Sequence, residues 1–208
     1  MRFLTHRGST RLPAALLAML LASGAKAQIV FDNTTNPRGN PWFTTSQIGN
    51  EVRIAAPASI GLLEIGVTQQ GVAGRANLQA FLYANDGSGG KPGRQLWASD
   101  LLANVSLTGG NDLIAFAVPG IAVPDTFTWT IQISHPTPVA VGVASFDPPT
   151  QGTILHSWFG PEWSSLDQFG TSTHFMARIA SVPEPGGVAI LACLSVSSIA
   201  MLFRRYRL

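Results

Sequence analysis

Asp125–His135, read as DTFTWTIQISH, constrains the fold most. Phe127, Trp129, Ile131 and Ile133 alternate with Thr128, Thr130, Gln132 and Ser134. Successive side chains on a strand point to opposite faces, so a period of two places one apolar row on a core and one polar row outward. β-Branched and aromatic types reinforce that assignment. Eight further stretches read the same way: Ile29–Phe31, Glu51–Ala55, Ile60–Thr68, Ala76–Ala84, Leu113–Val118, Val139–Phe146, Thr153–Trp158 and Phe175–Ala180. Turn signals separate them, among them Asn36-Pro37-Arg38-Gly39, Asn85-Asp86-Gly87-Ser88-Gly89-Gly90, Gly109-Gly110-Asn111-Asp112 and Asp147-Pro148-Pro149. No stretch between them has a helical period. The expectation is an all-β domain over residues 28–180, an antiparallel β-sandwich of jelly-roll type.

The two ends have a different composition. Arg2, Arg7 and Arg11 precede the apolar run Ala14–Ala22, and Ala25-Lys26-Ala27 follows with small residues at the spacing a signal peptidase cuts. Residues 1–27 therefore read as a signal peptide, cut between Ala27 and Gln28. Gly187–Phe203 contains 17 residues without a charge. As a helix it would span roughly 25 Å, the short end for a bilayer core. Arg204, Arg205 and Arg207 follow, a cluster that stays on the cytoplasmic side and leaves residues 28–180 on the other. Pro183 and Pro185 hold the intervening peptide extended.

With both ends set aside, residues 28–181 carry six Lys and Arg against ten Asp and Glu, a net charge of −4. The basic balance of the whole chain comes from its targeting segments, and nucleic acid is not an expected partner. The one cysteine, Cys193, lies in the C-terminal apolar run. The domain therefore has neither a disulfide nor a thiolate metal site.

Val182-Pro183-Glu184-Pro185, the apolar segment and Arg204-Arg205, in that order, resemble the PEP-CTERM sorting signal. The resemblance covers residues 181–208. It implies recognition by an exosortase, a membrane transpeptidase-like enzyme of Gram-negative bacteria that make extracellular polysaccharide. The domain itself resembles the β-rich "choice-of-anchor" modules. That likeness is carried by Phe31-Asp32-Asn33-Thr34-Thr35, by Phe81–Gly87 with Pro92-Gly93, and by Val123–Thr130. Those modules imply no catalytic residue.

Few residues suggest chemistry. Asn85–Gly93 interleaves Asn and Asp oxygens with glycine, as calcium loops do, but lacks a closing acidic residue and reads better as a hairpin connection. His135, His156 and His174 are widely spaced and show no metal-ligand pattern. There is no G-x-S-x-G elbow for a serine nucleophile. A glycosidase pair would need two carboxyls about 5–10 Å apart, a distance the sequence does not fix. The remaining feature is Trp158-Phe159-Gly160-Pro161-Glu162-Trp163. Trp158 and Trp163 with Glu162 could form a carbohydrate platform, the rings stacking on sugars and the carboxylate bonding hydroxyls. The competing reading has the same tryptophans covering one end of the core.

The expected protein is thus exported and not an enzyme, with no cofactor and no metal. It passes through the inner membrane and is sorted by exosortase to the cell surface or extracellular matrix. There it is structural or adhesive in a polysaccharide matrix. The alternative is a lectin-like module using the Trp158–Trp163 loop. A glycoside-active enzyme is the third reading.

Overall fold

The computed structural model describes residues 27–69 and 71–182. In chain order the strands are β1 (Ile29–Asp32), β2 (Trp42–Phe43), β3 (Gln47–Arg53), β4 (Ala58–Gln69), β5 (Gly74–Ala84), β6 (Gln95–Ala98) and β7 (Leu102–Leu107). They continue with β8 (Asn111–Val123), β9 (Thr126–Thr137), β10 (Val141–Val143), β11 (Thr153–Phe159), β12 (Ser164–Ser165) and β13 (Ala177–Ser181). Two short 3-10 helices, Ser88–Gly90 and Asp167–Thr173, interrupt them. Every strand pairing is antiparallel.

The first sheet has β4 at its centre. β13 and then β1 lie on one side of β4, β8 lies on the other, and β10 with β2 extends past the end of β13. The second sheet runs β12-β11-β3-β9-β5, with β6 and β7 both on the far edge of β5. The chain passes repeatedly from one sheet to the other. Leu63, Ile65 and Val67 of β4, Phe116 of β8 and Ile179 of β13 therefore share one core with Ile48 and Val52 of β3, Leu78 and Leu82 of β5, and the β9 row. Phe127, Trp129, Ile131 and Ile133 are all fully buried. Burying each such side chain stabilises the fold by roughly 1.5–3 kcal/mol.

Two asparagines fasten the sheets together. Asn50 of β3 and Asn33, just after β1, are both fully buried. The Asn50 amide donates to Ser157 Oγ (2.8 Å) and to the Thr173 carbonyl (2.9 Å), and its oxygen accepts the Phe175 N–H (2.7 Å). Asn33 donates to the carbonyls of Phe146 (2.7 Å) and Phe175 (3.1 Å). The backbone of Phe175 is thereby held at its N–H from one sheet and at its carbonyl from the other.

Among the described residues thirteen strands form where nine were expected. β3 begins four residues earlier, because Gln47–Asn50 pair with β9 and Ile48–Asn50 also with β11. Val139–Phe146 keeps only the three residues of β10 as a strand, and Ser145 and Phe146 make isolated bridges to Phe175 and Pro37. The expected membrane helix lies outside the described residues. Among those that are described, no helix is long and apolar enough to cross a membrane.

Candidate functional site

The first place to which the sequence assigns function is where the domain begins and ends. β1 pairs with β13, so Gln28 comes beside Ser181. Ser181 donates to the Gln28 carbonyl through its N–H (2.9 Å) and its hydroxyl (3.3 Å). The next residue, Val182, still belongs to the sheet: its N–H donates to the Ser59 carbonyl (2.8 Å). Its side chain lies on Gly61, where an added Cβ would come within 2.8 Å of Cγ1. The exposed Ala27–Gln28 junction and the first residue of the motif therefore flank the Gln28–Ser181 pairing, where β1 begins and β13 ends. Ala25, Pro183, Glu184, Pro185, Arg204, Arg205 and Arg207 lie outside the described residues.

The second place is the outer face of the second sheet. Trp158 of β11 lies opposite Gly49 of β3, and its neighbour on that face is Glu51. The Trp158 ring is only 6% exposed, and its N–H donates to Glu51 Oε2 (3.3 Å). After β11 the chain turns through Gly160-Pro161-Glu162-Trp163 into β12. Trp163 takes a left-handed backbone (φ 51°), unusual for a bulky residue, and its ring meets Tyr83 edge-on at 5.2 Å. Gln47 donates to Tyr83 Oη and to Thr130 Oγ1, both at 2.8 Å. Burial pushes the Tyr83 hydroxyl pKa up, and the Gln47 bond offsets part of that rise.

This geometry divides the aromatic pair. Trp158 is sealed into the sheet with both polar and apolar groups engaged, so it offers no free ring to a ligand. The half-buried Trp163 and the exposed Glu162 remain at the surface. The tryptophans also cover the outer face of a sheet, rather than an end of the core. The structure adds residues that sequence reasoning missed. Gln47, Gln132 and Gln79 stand opposite one another across β3, β9 and β5. They are far apart in the chain, and only the polar half of each alternation hinted at them.

His174 and His156 each bond an aspartate of a loop. Asp147 accepts from His174 Nδ1 (2.7 Å) and from Arg38 (2.8 Å). Burial raises its pKa, but the His174 and Arg38 bonds outweigh burial and hold it below the usual carboxylate range. Asp167 bonds His156 Nδ1 (2.7 Å) and accepts the Ser157 N–H (2.9 Å). There too burial raises the pKa, and these bonds more than reverse it. In the glycine-rich loop, Asp86 accepts the Arg94 N–H (2.7 Å), closing the turn. Among the described residues no three His, Cys, Asp or Glu side chains are grouped to hold a metal ion.

No protein-family model matches this chain, and no significant match is found among curated proteins or solved structures.

Proposed function

We propose that this chain is an exported protein of the bacterial cell surface or extracellular matrix, sorted by an exosortase through Val182-Pro183-Glu184-Pro185. Its domain is a jelly-roll-like sandwich, non-catalytic, and structural or adhesive in a polysaccharide matrix. One observation carries this reading: the folded domain fills the whole interval between the two processing signals. Its first strand starts two residues after Ala27, and its last pairing is made by Val182 itself. Gln28 and Ser181 lie side by side in the sheet. The alternation of the chain between sheets supports the jelly-roll assignment. The test is whether the mature chain loses the residues after the motif, and only when the motif is intact.

A second reading has a specific observation in its favour. The outer face of the second sheet joins Trp163 to a row of three glutamines, and amides offer sugars both donors and acceptors without charge. A lectin-like role would use Trp163, Glu162, Gln47 and Gln132, with Trp158 as support beneath. Retention on bacterial polysaccharide, lost in Trp163→Ala, tests it.

A further inference from the structure

The glutamines on the outer face of the second sheet run across the strands rather than along one. Gln47, Gln132 and Gln79 are register partners on β3, β9 and β5, so they share a face and stand one strand apart. Neighbouring strands lie about 4.8 Å apart, and the row advances by that step. It continues just past the end of β11. The Gly160 N–H donates to the Gln47 carbonyl (2.8 Å), and a Cβ added at Gly160 would lie 3.4 Å from Trp163 Cζ3. Gly160 has no side chain of its own and leaves that place to the Trp163 ring. One aromatic ring and three amides thus form a line about 14 Å long.

The outer two amides are held in place. Gln47 Nε2 donates to both Tyr83 Oη and Thr130 Oγ1, which commits its two N–H groups and leaves Oε1 as an acceptor. Gln79 Nε2 donates to the Ser99 carbonyl (2.9 Å). Gln132 stands exposed between them. At the end of the line Trp163 keeps its left-handed backbone (φ 51°), a costly conformation of the kind that gathers at binding sites. None of the four side chains carries a charge.

We propose that this line takes an extended, uncharged β-linked glycan laid across the strands, one sugar residue to each strand. The proposal rests on the lectin-like reading and names the ligand class for that site. Spacing favours this class. An extended β-linked pyranose chain repeats at close to the distance between strands, so successive sugars meet Gln79, Gln132 and Gln47 in turn and the next one reaches Trp163. An α-linked chain coils and leaves the line within a residue or two. Charge favours the same class. Amides bond hydroxyls without charge, and no Lys or Arg stands in the line to pair with an acidic sugar. Glu162 beside Trp163 and the net −4 of the domain both repel one.

Titration calorimetry at physiological salt tests it, using the mature chain recovered from native cells in mild detergent. Three soluble polymers distinguish linkage from charge. Hydroxyethylcellulose is uncharged and β-linked, carboxymethylcellulose has the same backbone with carboxylates, and pullulan is uncharged and α-linked. Hydroxyethylcellulose should bind at least about tenfold more tightly than either of the others. Gln132→Ala, a change to an exposed side chain, should weaken that binding about fivefold, the worth of one net hydrogen bond, and leave the melting curve unmoved. Carboxymethylcellulose or pullulan bound as tightly as hydroxyethylcellulose would overturn the proposal, and so would native affinity in Gln132→Ala. In those cases the lectin-like reading survives wherever Trp163→Ala still abolishes binding. Binding to none of the three polymers would overturn both.

Discussion

Phe175 shows how single residues hold this fold together. Its ring is fully buried, and its backbone is tied to Asn50 and Asn33 from opposite sheets. Asn50→Leu keeps similar volume but leaves the Phe175 N–H without that partner in the interior. The expected loss is about 3 kcal/mol in denaturant unfolding. Asn36→Ala, which removes an exposed amide bond to Pro148, should cost less than about 1 kcal/mol. Neither buried asparagine was legible in the sequence, where Asn33 and Asn50 resemble turn residues; only tertiary pairing turns them inward. Asp147 gives a pH signature. Its folded-state pKa lies below the ordinary value, so its contribution is present above about pH 4 and disappears as pH falls through the folded value. Asp147→Asn should therefore be less stable than the native chain at pH 7. The gap should narrow in urea unfolding as pH falls below about 4.

At the scale of elements, the β11–β12 hairpin is the piece whose meaning the structure changes most. The sequence offered its two tryptophans as a matched pair, but period two separates them: Trp158 lies within the sheet face and Trp163 in the turn beyond it. Trp163 gives up backbone comfort for an edge contact with Tyr83, so Trp163→Ala should shift stability by no more than about 1.5 kcal/mol. If the lectin-like reading holds, the same change abolishes retention on polysaccharide while the melting curve barely moves. Retention equal to native would remove Trp163 from any binding role. The long strands were legible because their alternation is strong, as in β4, β5, β9 and β11. The missed ones were legible to no periodicity argument: β2 and β12 have two residues each, and β6 has four. β7 carries Asn104 at φ 55° within a largely exposed stretch.

On the scale of the whole molecule, the domain is a pair of antiparallel sheets whose entry and exit lie side by side at Gln28 and Ser181. That adjacency could not be read from residues 153 positions apart; it follows from β1 closing the sheet against β13. It leaves almost no linker before the Pro-Glu-Pro sequence, since Val182 makes the last pairing and Pro183 follows at once. The most direct measurement is the mass of the mature protein in the outer fraction of native cells, with Val182-Pro183-Glu184-Pro185 intact and with it replaced. The account predicts a chain beginning at Gln28 that has lost the residues after the motif, and no such loss when the motif is replaced. An unprocessed chain still ending at Leu208, in the inner membrane in both cases, would contradict it.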